Sequence, residues 1–148
     1  MNVAFFLTPK SDVVWVSETD TVRQALEKME HHRYGAIPIL DDEGHYVGTL
    51  TEGDLLWTLW HTDGPPLDAA ERIKLTDVSR RVTNLPVNID AEVEELLARA
   101  ITQNFVPVVD SRGVFIGIVR RRPIIEQCAK IMSAPKPALV AQIALLQD

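Results

Sequence analysis

Residues 35–50 read GAIPILDDEGHYVGTL, and residues 104–119 read NFVPVVDSRGVFIGIV. Laid over each other without a gap, they align Pro38 with Pro107, Asp41 with Asp110, Gly44 with Gly113 and Gly48 with Gly117, each pair 69 positions apart. Apolar residues match between these fixed points: Ile39 and Val108, Leu40 and Val109, Tyr46 and Phe115, Val47 and Ile116. A repeat of this length is one supersecondary unit that needs its copy to bury its apolar face. The space between two such copies is a natural place for a ligand.

The repetition extends upstream. Val22, Ala25, Leu26 and Met29 share one face of a helix, and Val93, Leu96, Leu97 and Ala100 repeat that spacing 71 positions on. The drift of two residues predicts a shorter helix-to-strand joint in the second copy, trimmed where the first holds His31 and His32. Thr21 with Gln24 predicts a capping box, and Asp90 is expected to cap the second helix. Short β-prone runs precede the helices, at Val13–Ser17 and Leu85–Ile89. The strands after them are Ala36–Leu40 and His45–Leu50, then Phe105–Val109 and Val114–Val119, each pair joined by a Gly-ended turn. Closing helices follow at Glu52–His61 and Arg121–Met132. Strand–helix–strand implies a crossover between parallel neighbours. The predicted fold class is therefore α/β (α+β), a β-α-β-β-α unit used twice with pseudo-two-fold symmetry. The copies span 1–62 and 75–132, with a linker at 63–74. A tail at 133–148 carries a short helix over Ala138–Leu146.

A chain of 148 residues, 46% apolar and 24% charged, is globular. A net charge of −6 argues against a general nucleic-acid binder. The lone Cys128 excludes an internal disulfide, which points to a reducing cytoplasm, and it reads as a small buried hydrophobe. The apolar run Val3–Leu7 is too short for a signal peptide or a membrane span. His31 and His32 point apart on a helix with no further ligand at metal spacing, so no metal is expected. Trp57 and Trp60 share a helix face and read as core or dimer contact.

The run Ala-Ile-Pro-Ile-Leu-Asp followed by Gly-Thr-Leu-Thr-Glu-Gly-Asp-Leu-Leu resembles the cystathionine-β-synthase (CBS) domain, and two in tandem resemble a Bateman module. Arg-Tyr-Gly-Ala-Ile-Pro and Gly-Ile-Val-Arg-Arg-Arg are similar to small bacterial CBS-pair proteins that respond to cyclic di-AMP or other adenine nucleotides. The resemblance covers about residues 3–132. It implies a non-catalytic sensor of AMP, ADP, ATP or cyclic di-AMP, a homodimer, and a regulated partner protein yet to be identified.

Thr51 falls where a strand hands over to a helix, so its hydroxyl and the following N–H groups make an anion site. Asp54, one turn on, offers two acceptor oxygens for a ribose. The plainer alternative is that Thr51 caps the helix and Asp54 favours its positive end. In the second copy Arg120 stands at the Thr51 position and Pro123 at the Asp54 position, with Arg121 and Arg122 between. Three cations at a helix N-terminus are misplaced by roughly 0.3–1 kcal/mol each, a cost that a phosphate offsets, with Arg121 or Arg122 expected as its contact ahead of Arg120. The alternative partners are surface carboxylates. Family geometry implies an arginine cleft walled by Ser11, Asp12, Val13, Val14, Tyr34, Gly35, Ala36 and Pro38. The Thr51/Asp54 cleft would be walled by Thr83, Asn84, Leu85, Pro86, Phe105, Val106 and Pro107. Two other readings stay open at this point: an adaptor with empty clefts, and a nucleotide-processing enzyme. The enzyme is disfavoured by the lack of a phosphate-binding loop, a nucleophile elbow or a metal set.

Overall fold

A computed structural model describes residues 1–134 and 142–146. The chain opens with α1 (Val3–Phe6) and β1 (Thr8–Pro9), then a 3₁₀ turn over Lys10–Asp12. The first repeat supplies β2 (Val16–Ser17), α2 (Val22–His32), β3 (Ala36–Leu40), β4 (Tyr46–Thr51) and α3 (Glu52–Trp60). Helix α4 (Pro66–Arg72) and a 3₁₀ turn at Leu75–Asp77 follow. The second repeat supplies β5 (Val87–Asn88), α5 (Val93–Thr102), β6 (Phe105–Val109), β7 (Phe115–Arg120) and α6 (Arg121–Ser133). The β-α-β-β-α order is thus present twice, and the fold is mixed α and β.

These elements form two compact units. One is Val14–Asn84; the other combines Met1–Val13 with the residues from Leu85 onward. In the Val14–Asn84 unit, β2 runs parallel to β3 and β3 antiparallel to β4, giving a sheet of order β2-β3-β4. Pro38 lies ahead of Ile39 and Leu40, the residues that β2 pairs, so its missing N–H is tolerated. Val22, Ala25 and Met29 on α2 bury against Ile37, Ile39 and Leu50 of the sheet, with Leu55 from α3 and Ala70 from α4. Full burial of such side chains stabilises by about 1.5–3 kcal/mol each. The 63–74 stretch, read as a plain linker, therefore contains a helix that contributes to this core. Pro66 starts it at a position where the missing N–H costs nothing.

The other unit repeats the pattern with one addition. β5 is parallel to β6 and β6 antiparallel to β7, and β1 adds to the far side of β7, giving the order β1-β7-β6-β5. Thr8 pairs with Ile118 and Pro9 with Gly117. The approach is close: a Cβ on Gly117 would stand 2.2 Å from the Thr8 carbonyl oxygen. Val3 and Phe6 of α1 enter the core beside Val87, Leu96, Val106, Val119 and Ile124. The chain's first residues therefore pack with the second repeat.

The two hairpins are alike in detail. Each has a register shift at the same place, Ile39/Leu40 and Val108/Val109. Gly44 and Gly113 close the turns at φ 82° and 81°, where a side chain would be strained. Asp41 Oδ1 accepts from the Glu43 and His45 amides, and Asp110 Oδ1 accepts from the Arg112 and Val114 amides. Backbone donors of this kind hold both carboxyls below the ordinary Asp range.

Three expectations change. The drift between repeats is shared: α2 has 11 residues against 10 in α5, and three residues rather than two lead to the next strand. His31 and His32 thus end the helix rather than forming the joint, and Arg33 closes it at φ 60°. Asp90 does not cap α5; Glu92 takes that position without a side-chain bond, because the helix starts too late for Asp90 to reach its amides. Cys128 is exposed, on the outer face of α6. Of the expected tail helix, residues 142–146 are helical and 138–141 lie outside the described residues.

Candidate functional site

The start of α3 closes on itself. The Thr51 hydroxyl accepts from the Asp54 amide at 3.2 Å, and Asp54 Oδ2 accepts from the Thr51 amide at 3.0 Å. This capping box satisfies donors that a helix otherwise leaves open. Glu52 and Asp54 in the first turn also suit the positive end of the helix. Asp54 is only 3% exposed, and its other oxygen, Oδ1, accepts from the Arg81 amide at 3.0 Å. Asp54 forms the floor of a depression of about 250 Å³ lined by Trp57, Thr58, His61, Asp77, Ser79 and Arg81. The Arg81 guanidinium lies 4.9 Å from the centre of the Trp57 ring.

The start of α6 is arranged in the opposite way. Arg120 takes the N-cap position with no side-chain cap bond, and no acidic residue stands in the first turn. Its guanidinium is exposed and has no partner among the described residues. Arg121 turns back to the C-terminal carbonyls of α5, donating from Nε to Ala100 O at 2.9 Å and Gln103 O at 2.7 Å. A cation there meets the negative end of a helix, which accounts for one arginine without any ligand. Arg122 is 88% exposed and pairs with Glu126 one turn on at 2.8 Å. The plainer alternative therefore holds for Arg122 in the described chain, and Arg120 is the one left unpaired.

Ser11, Asp12 and Val13 share a unit with Arg120, Arg121 and Arg122, and the Lys10–Asp12 turn lies against β7. Ser11 and Asp12 are exposed. Leu85, Pro86, Phe105, Val106 and Pro107 also belong to that unit, with Phe105 paired to Arg120 across β6 and β7. Thr51, Asp54, Thr83 and Asn84 share the other unit with Val14, Tyr34, Gly35, Ala36 and Pro38. There the Tyr34 ring stacks on His32 at 5.7 Å and lines an apolar groove of about 370 Å³ between α2 and α3.

Sequence reasoning missed Arg80 and Arg81. Arg80 crosses Gly48, where an added Cβ would meet its Nε at 2.7 Å. Tyr46, beside it on β4, bonds through its hydroxyl to Thr49 Oγ1 and to the Asn84 carbonyl, both at 2.7 Å. Burial pushes the Tyr46 phenol up to about 12. A signal was available: carried back 71 positions, Ser79-Arg80-Arg81 lands on Thr8-Pro9-Lys10, the stretch that holds β1. Among the described residues no group of three or more His, Cys, Asp or Glu is placed to hold a metal. None of their helices is long and apolar enough to cross a membrane.

A family model described as CBS domain matches residues 6–61. A CBS domain-containing protein of Dictyostelium discoideum is 28% identical over 127 residues, covering 79% of this chain and 85% of its own length. The inosine-5'-monophosphate dehydrogenase of Methanocaldococcus jannaschii is 29% identical over 118 residues, 78% of this chain but only 22% of that enzyme. Among solved structures, the Listeria monocytogenes CbpB protein in complex with c-di-AMP aligns with a TM-score of 0.76 at 26% identity, covering 88% of this chain and 96% of that one. With its β-α-β-β-α unit used twice, the chain carries a CBS domain over residues 6–61 and has the fold of CBS-pair proteins.

Proposed function

We propose that this chain is a non-catalytic regulatory module that binds an adenine nucleotide, with AMP, ADP, ATP and cyclic di-AMP as candidates. Its phosphate would sit at the start of α6. The observation that carries the reading is an uncapped helix start bearing the exposed, unpartnered Arg120. A phosphate there meets unsatisfied N–H groups and a guanidinium together. Support comes from the likeness to CbpB, whose structure holds c-di-AMP. In the same reading Ser11 to Val13, which share a unit with the start of α6, face the base. Occupancy would be read by a partner protein. Homodimer formation belongs to the proposal too, since Leu56 and Trp60 on α3 are 57% and 74% exposed.

A melting scan of the chain against AMP, ADP, ATP and cyclic di-AMP tests this. A ligand at a hundredfold over its dissociation constant stabilises by about 2.7 kcal/mol, raising Tm by about 2–6 °C for a chain of this size. Arg120→Ala is expected to remove most of that shift while leaving the ligand-free Tm within about 1 °C. Flat traces across the panel favour an adaptor; product formation favours an enzyme; a full shift in Arg120→Ala overturns the assignment to α6.

A further inference from the structure

Asp54 is the one carboxylate in the buried set among the described residues, and none of their cations pairs with it. Its charge is balanced by two backbone amides. One is Thr51, within the helix's own cap; the other is Arg81, 27 positions on, in a stretch that is neither helix nor strand. A buried carboxylate without a cation depends on such donors, because its desolvation is otherwise uncompensated. The stretch that brings the Arg81 amide is fastened at three more points: Arg81 over Trp57, Arg80 across Gly48, and the Asn84 carbonyl on the Tyr46 hydroxyl. Residues 80–84 thus form a strap along α3 and β4, just before the chain passes into the other unit at Leu85.

The matching stretch of the other repeat is built differently. Thr8 and Pro9 lie in a strand ladder on β7, and Pro123 replaces the carboxylate. There the strap is part of the sheet. In the first repeat side chains hold it, and Asp54 is the one that takes a backbone amide of the strap.

We propose that Asp54 is a latch: it fastens the 80–84 strap in the resting chain, and the strap in turn closes Asp54 to an incoming ribose. The second clause rests on the nucleotide reading; the first does not. Asp54 is 3% exposed and each of its oxygens already accepts a backbone amide, so a sugar hydroxyl gains full access to the carboxylate when the Arg81 amide lets go. The latch is an autoinhibitory contact, and opening it lowers the fraction of closed chains that a ligand must overcome.

Residue-resolved amide hydrogen exchange on the full chain without nucleotide tests the latch. The Arg81 amide is expected to be protected in the natural sequence and at least about tenfold faster in Asp54→Ala, whose side chain offers no acceptor. Amides of β6 and β7 should be unchanged. An Arg81 amide that exchanges at the open-chain rate in the natural sequence, or at the same rate in Asp54→Ala as in the natural sequence, overturns the latch. Closure is tested with AMP by calorimetry: Arg81→Pro removes the N–H and keeps the carboxylate, so AMP should bind about tenfold tighter. Equal AMP response in the two chains overturns the autoinhibitory part. Loss of the nucleotide response through Arg120 alone leaves the exchange result standing.

Discussion

Helices α3 and α6 begin at the same place in their repeats yet satisfy their first turns in opposite ways. At α3, Thr51 and Asp54 cap each other and two acids meet the helix's positive end. At α6 no side chain caps, no acid is present, and three arginines crowd the same end. One start is stabilised by its own residues; the other keeps its donors open and turns one arginine toward α5 instead. The same backbone therefore holds a closed helix start in one copy and an exposed one in the other. Duplication allows this because each copy keeps its hairpin and core while the residues at positions 51–54 and 120–123 diverge.

The sharpest way to break the comparison lies in the glycines that precede these helices. Gly117→Ala puts a Cβ into the Thr8 carbonyl, so β1 must leave β7; we expect a loss of about 3 kcal/mol or more in urea unfolding. Gly48→Ala meets the Arg80 side chain, which has room to move, and should cost no more than about 1 kcal/mol. Equal losses would mean that the two straps are alike after all.

Arg121→Ala comes next. It leaves the Ala100 and Gln103 carbonyls without their charged donor and is expected to lose about 1.5–3 kcal/mol in the same assay. Arg122→Ala breaks an exposed i,i+4 pair and should cost about 0.3–0.5 kcal/mol. If the order is reversed, Arg121 is not the structural member of the trio.

Thr51→Ala should cost about 1 kcal/mol by opening the α3 cap, whereas Arg120→Ala, at the equivalent place, should cost almost nothing. A thermal melt of the pair reads the difference directly.

A pH-dependent effect distinguishes Tyr46 from Phe115. With its folded pKa raised to about 12, the Tyr46 phenol contributes stability that is complete below its ordinary pKa of 10 and is lost as pH rises through about 12. Alkaline unfolding between those values should therefore weaken the first repeat, and Tyr46→Phe should abolish that pH slope. The same variant loses the bond to Asn84 and about 1 kcal/mol at neutral pH. The two turn aspartates behave alike: both are depressed, so their contribution is present above the ordinary Asp range and fades as acid is added.

What could be read from the residues was what is local. β3 and β6 match their expected bounds because an unbroken apolar run leads into an Asp-x-x-Gly turn that marks one end of each. The Thr21 capping box was visible because its partner is three residues away. The pairing of β1 with β7 was not visible, since nothing in Thr8-Pro9 points to Gly117 until the chain is folded. Arg121 was misjudged for the same reason: its partners are carbonyls of another helix, and a carbonyl leaves no mark in the sequence. Asp54 was legible as a first-turn acid, but its burial under residues 80–84 was not.

The pairing of Thr8 with Ile118 also sets a schedule for synthesis. A nascent chain leaving the ribosome can complete the Val14–Asn84 unit while its own first thirteen residues still lack their sheet. Val3 and Phe6 stay uncovered until β7 emerges. A nascent chain stalled before residue 115 should therefore expose an apolar N-terminus that invites chaperone binding, and that exposure should vanish once β7 is released.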